Sequence, residues 1–138
     1  MPLAALPYRI SGGRLLPLCD VFLLGPFHRE RVTCVVDTGA FYPVFPERVA
    51  EDAGISLSKV PKTFQIQYGG SDDRGRLVRV NIELEQQRFD TEVVFVERLA
   101  FPYGLLGRRG VFGRFREIVF LEKVWHPGWN YAGKGVTP

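Results

Sequence analysis

The chain has 138 residues, 46% of them hydrophobic and 13% aromatic, which suits one compact domain with a genuine core. Its net charge of +3 comes from basic residues that are scattered apart from Arg108-Arg109, so no nucleic-acid footprint is indicated. No stretch reaches the roughly 18 apolar residues of a membrane span. Residues 1–10 carry no basic segment followed by a long apolar run, so neither a signal peptide nor a membrane partner is expected, and a soluble cytoplasmic protein is.

Met1 to Pro7 is rich in proline and alanine and is expected to be poorly ordered unless a partner pins it. Leu15 to Leu24 is strongly apolar and reads as a strand. Gly25-Pro26 breaks it, and Arg29 to Val36 returns as the second arm of a hairpin. Cys19 and Cys34 lie in these apolar runs and read as reduced, buried small hydrophobes rather than as a disulfide. No cysteine pair has metal-ligand spacing, and His28 and His126 stand apart, so no metal and no cofactor is expected.

Phe41 to Phe45 reads as a short strand at an edge or bend, because Pro43 cannot donate to a ladder. A helix follows. Pro46 suits its first position, Glu47 its N-terminal dipole, and Val49, Ala50 and Ala53 form an inward stripe that Gly54 ends. Phe64, Ile66 and Tyr68 alternate with Thr63, Gln65 and Gln67, and Leu77 to Leu84 resumes in phase. Between them Gly69 to Gly75 reads as a polar, glycine-rich turn, so the whole is a long hairpin. Phe89 to Val96 is another strand. Arg108 to Phe115 should be a short helix, weakened by Gly110 and Gly113, and Arg116 to Val124 a last strand. The tail from Trp125 to Pro138 holds two tryptophans, a tyrosine and three glycines and is expected to pack on something, such as a second subunit.

The chemistry gathers at Asp37. Val32, Cys34 and Val36 alternate with Thr33, Val35 and Asp37, so the carboxylate ends a strand. Gly39 permits a tight turn that aims backbone N–H groups back at it. By itself Asp37-Thr38-Gly39 is equally an ordinary turn at a strand end. A second element stands far downstream: Leu105-Leu106-Gly107-Arg108, an apolar pair and a glycine fitting a buried strand that passes close to another backbone.

In this order the two motifs resemble the single-domain, retropepsin-like branch of the aspartic proteases, over about residues 31–121. The resemblance implies an all-β fold with one or two short helices, a closed β-barrel-like single lobe. Residues 1–138 would form one domain, with a core at about 15–124 and extensions at 1–10 and 125–138. One Asp-Thr-Gly in a chain this short implies a homodimer. It further implies catalysis by Asp37, Thr38 and Gly39, with Thr38 bonding across the two-fold axis. Ala40, Ile66, Tyr68, Gly69, Gly70 and Leu105 would bind an extended peptide under a flap made by the long hairpin. Leu106, Gly107 and Arg108 would be structural. Val35, Phe41, Ile66 and Leu105 are candidate subsite walls, or plain core.

Phe41, Tyr42 and Pro43 depart from the retroviral enzymes, which have polar or acidic residues there, an acidic one commonly tying the arginine of the Leu-Gly-Arg segment. Arg108 lacks that partner, leaving Tyr42 or another region to hold it. Two other readings compete: a protease-like fold that binds peptides or partners without cleaving them, and Asp37 as a phosphoryl acceptor. The last is poor, since no second acidic metal motif accompanies Asp37.

Overall fold

The structure is a computed structural model and describes residues 6–68 and 70–121. Nine strands and one α-helix follow in the order β1 (Arg9–Ser11), β2 (Arg14–Leu16), β3 (Leu18–Leu24), β4 (Arg29–Val36), β5 (Val44–Pro46), α1 (Glu47–Ala53), β6 (Phe64–Tyr68), β7 (Ser71–Leu84), β8 (Gln87–Val96) and β9 (Gly104–Leu106). A 3₁₀ turn, Phe112–Arg114, comes last. The main sheet runs β3-β4-β9-β5-β8-β7-β6, and β3 also pairs with β7. That extra pairing closes six strands on themselves and leaves β6 outside, bonded to β7 alone. This is the all-β, barrel-like single lobe that the sequence implies.

Alternation fills the barrel. Val21, Leu23, Cys34, Phe45, Ile82, Val93 and Phe95 are fully buried, and α1 closes one end with Val49, Ala50 and Ala53. Cys19 and Cys34 face each other in the β3–β4 register and are both free and buried. Burial pushes the Cys19 thiol up to about 12 and Cys34 up as well, which keeps both protonated and apolar. α1 begins one residue later than expected, with Pro46 as its extended N-cap. Gly54 ends it in the left-handed conformation at φ 85°.

Several expectations are corrected. The apolar run from Leu15 is two strands, β2 and β3, interrupted at Pro17. β1 and β2 form an N-terminal hairpin, and Arg9 of β1 makes a two-pronged ion pair with Asp20 of β3. The turn expected over Gly69 to Gly75 is far shorter. Ser71 already pairs with Tyr68, and Asp72 to Gly75 continue the ladder against Gln67 to Phe64, because main-chain pairing outweighs the weak strand preference of the aspartates. Finally, Arg108 to Phe115 holds only a single 3₁₀ turn, and of the strand expected over Arg116 to Val124, residues 116–121 form none while 122–124 lie outside the described residues. Phe41 and Tyr42 likewise precede β5 rather than belong to it. The aromatic tail lies outside the described residues.

Candidate active site

β4 carries the chain to Asp37. It pairs antiparallel with β3 and parallel with β9, so Val35 stands opposite Leu105 and Val36 opposite Leu106. The two motifs, some 70 residues apart in the sequence, thereby become neighbours. At the strand end the bonding becomes dense. The Val36 N–H donates to the Pro17 carbonyl at 2.9 Å, and the Asp37 N–H to the Leu106 carbonyl at 3.2 Å. The Gly39 N–H donates to Asp37 Oδ1 at 2.9 Å, and the Ala40 N–H to the Asp37 carbonyl at 3.3 Å. The expected turn with its N–H aimed at the carboxylate is therefore present.

The segment after β9 ties the far side of the loop. The Arg108 N–H donates to the Ala40 carbonyl at 3.0 Å, and the Arg109 N–H to the Phe41 carbonyl at 2.7 Å. Gly107 makes this approach possible: a Cβ there would lie 2.3 Å from the Tyr42 carbonyl oxygen. Asp37 and Ala40 are half-buried, while Thr38 and Gly39 are exposed in the single chain.

The other predicted positions divide. Ile66 and Val35 are half-buried and pack with Tyr42 and Phe64 against a small cluster of Val44, Val94, Val96 and Leu105. Leu105 is only 3% exposed, so it is core, because both of its neighbouring strands cover it. Leu106 and Gly107 are buried too. Tyr68 ends β6 and Gly70 follows with φ 77°, while Gly69 lies outside the described residues.

Arg108 has no carboxylate in ion-pair range among the described residues. Its guanidinium lies 5.9 Å from the centre of the Phe41 ring. Arg109 stands 5.6 Å from both Phe41 and Tyr42 and reaches Glu92 at 3.4 Å. Phe41 meets Tyr42 edge-on at 4.9 Å, and Tyr42 meets Phe64 of β6 at 5.0 Å. Aromatic faces thus stand where the resemblance implies an acid, and among the described residues Arg108 meets a ring at cation–π range rather than a carboxylate. The Phe41-Tyr42 and Arg108-Arg109 pairs were visible in the sequence. Phe64 and the Pro17 carbonyl carry no sequence signal, because tertiary pairing alone brings them here. No group of three or more His, Cys, Asp or Glu among the described residues could hold a metal ion.

A closed barrel that aims one strand-end Asp-Thr-Gly loop beside an apolar-apolar-Gly strand defines a retropepsin-like aspartic protease fold. The chain belongs to the aspartyl protease family, which matches it over residues 25–109. Among solved structures it is similar to a retropepsin-like aspartic protease from Rickettsia conorii, at 16% identity and a TM-score of 0.58, over 75% of this chain and 82% of that one. It is also similar to the EIAV protease in complex with the inhibitor HBY-793, at 15% identity and a TM-score of 0.58, over 82% of this chain and all of that one. At these identities the likeness is one of fold. No curated protein matches the chain. No helix among the described residues is long and apolar enough to cross a membrane.

Proposed function

We propose that this chain is an aspartic endopeptidase that works as a homodimer on extended peptides. The observation that carries the reading is the Asp37 loop. One carboxylate is held by the Gly39 N–H at 2.9 Å, and its backbone is tied to Leu106 at 3.2 Å. A chain with one such loop holds half of a two-carboxyl site, and a two-fold axis would complete it. The exposure of Thr38 and Gly39 in the single chain is consistent with a partner copy over them.

Two carboxyls at contact distance share one proton, because both cannot ionise side by side. The ionised member takes a proton from a water, whose oxygen attacks the peptide carbonyl carbon. The protonated member donates its proton to the carbonyl oxygen, giving a neutral gem-diol. Proton transfer to the nitrogen then breaks the C–N bond and releases amine and acid, and the pair regains its shared proton. Thr38 would bond across the axis. β6 and the first residues of β7 facing it, Ser71–Gly75, extend beyond the closed barrel and would serve as the flap that closes over substrate and excludes water, with Ala40, Ile66, Tyr68, Gly69 and Gly70 along the bound peptide.

The test is dilution. Specific activity on a peptide library should fall as sedimentation shows dimer giving way to monomer, and a statine-type transition-state mimic should block it. Constant specific activity in confirmed monomer would refute the shared site. Loss of activity with a chelator would point to a different catalyst.

A further inference from the structure

We infer that Arg108 is a specificity determinant, and that the aromatic–arginine surface beside the Asp37 loop recognises a carboxylate on the bound peptide. The inference rests on the proposed peptide-binding site. Three observations carry it.

The first is position. The Arg108 N–H is bonded to the Ala40 carbonyl at 3.0 Å, and the Arg109 N–H to the Phe41 carbonyl at 2.7 Å. The backbone that bears Arg108 is therefore fixed to the loop that bears Asp37, at Ala40, three residues after Asp37. The second is availability. Arg109 is engaged with Glu92 at 3.4 Å, whereas Arg108 is exposed and has no carboxylate partner among the described residues. A guanidinium presents a planar fork of donors that matches a carboxylate, and a ring at 5.9 Å accepts no hydrogen bond from that fork's edge donors.

The third is the company it keeps. Phe41 is 51% exposed, a large apolar face left at the surface directly beside the reactive loop. It leads by edge contacts through Tyr42 to Phe64 on β6, the strand that would cover a substrate. An apolar face beside an unpaired fork suits a peptide residue with a short apolar stem and a carboxylate. The carboxylate could belong to a Glu or Asp side chain or to a peptide C-terminus. The chain's other basic residues are scattered, so no extended anionic polymer is matched.

The experiment uses three fluorescein-labelled pools of decapeptides whose other positions are randomised without Asp or Glu, and a fourth with a fixed Lys and an amidated C-terminus. One has a fixed Glu and an amidated C-terminus, one a fixed Gln and an amidated C-terminus, and one a fixed Gln and a free C-terminus. Binding to the full-length Asp37→Asn protein is read by anisotropy at low salt, and wild-type cleavage of the same pools is followed in parallel. At least one carboxylate-bearing pool should bind about three- to fivefold tighter than the Gln amide pool. Which one does so tells side-chain from C-terminal recognition. Arg108→Gln should bring the ratio to about one, and Arg108→Glu should reverse it in favour of a fixed-Lys amide pool. Equal binding of all three pools, or a preference that survives Arg108→Gln, overturns the inference. Cleavage without a carboxylate preference does the same and leaves the peptidase reading standing. A preference in binding without wild-type cleavage overturns the peptidase reading and leaves this one standing. Absence of both overturns both. Should the Arg108 variants fail to fold, the wild-type preference decides: it must shrink as salt is raised, and a salt-independent preference overturns the inference.

Discussion

The Asp37 loop and the tip of the β6–β7 hairpin both depend on glycine, yet they are held in opposite ways. The loop is bonded on every side: to Pro17, to Leu106, within its own turn, and through Ala40 and Phe41 to the segment after β9. The hairpin tip hangs from a strand that has one neighbour and lies beyond the closed barrel. In the proposed peptidase a reacting group would have to keep its geometry, and a cover to leave and return. On that reading the fixed part sits inside the cooperative barrel and the part proposed to move sits at an edge where local opening would cost least.

The largest effect should come from the fixed part. Asp37→Asn keeps the size of the side chain and an acceptor for the Gly39 N–H. It cannot share a proton as a carboxyl pair does. Cleavage should fall by roughly 10⁴-fold, the scale of a lost general acid–base group, while circular dichroism and sedimentation stay as in the wild type. Full activity in the purified variant would end the proteolytic reading.

The same substitution in the two regions sharpens the contrast. Gly107→Ala places a Cβ 2.3 Å from the Tyr42 carbonyl oxygen, so backbone must shift. Denaturant unfolding should show a loss of about 1–3 kcal/mol, the usual cost of overpacking, together with reduced activity. Gly70→Ala meets nothing within 4 Å and suffers only its φ of 77°. That strain is about 1–2 kcal/mol, and it falls on a hairpin tip outside the barrel. Hydrogen exchange should therefore quicken at the tip, with little change in the global unfolding midpoint. Equal losses of global stability from the two variants would contradict the division.

How legible this was from the sequence follows the same line. β3, β4, β8 and the inner face of α1 were readable because alternation and helical spacing are local. Asp37 at the end of its strand was readable for the same reason. The parallel pairing of β4 with β9 was not, since a crossover leaves no mark in either strand, and only the resemblance placed the two motifs together. The β7–β8 hairpin turns at Glu85 and Gln86, both at positive φ without a glycine, so the usual turn signal is absent. The Gly69–Gly75 turn is shorter than its composition suggests because Asp72 and Asp73, loop-like in type, are held as strand by their ladder. Residues 116–121 show the converse. Their pattern is that of a strand, but pattern does not supply a neighbouring edge, and none pairs with them among the described residues.

The smallest effect concerns how the N-terminal hairpin is clipped to the barrel. Arg9 holds Asp20 through two bonds, at 2.9 and 3.2 Å, and the Thr33 hydroxyl donates to the same carboxylate at 2.9 Å. The Arg9 bond, opposed by partial burial and helped by Thr33, holds the Asp20 carboxyl below its usual range. A carboxyl depressed in the folded state stabilises that state above its unfolded value, near 3.9. The contribution disappears as the pH falls through the depressed folded value. The pair is partly exposed, so the stabilisation should be under about 1 kcal/mol and should weaken with salt. Asp20→Asn should thus be slightly less stable than the wild type at pH 7, and the gap should close on acidification below about pH 4. Arg9→Gln should behave in the same way. The clip is near the site, since Pro17, between β2 and β3, accepts the bond from Val36, and Ser11 meets Tyr103 just ahead of β9. A gap between variant and wild type that stays constant from pH 7 to pH 2 would show that Arg9 and Asp20 contribute by packing rather than by charge.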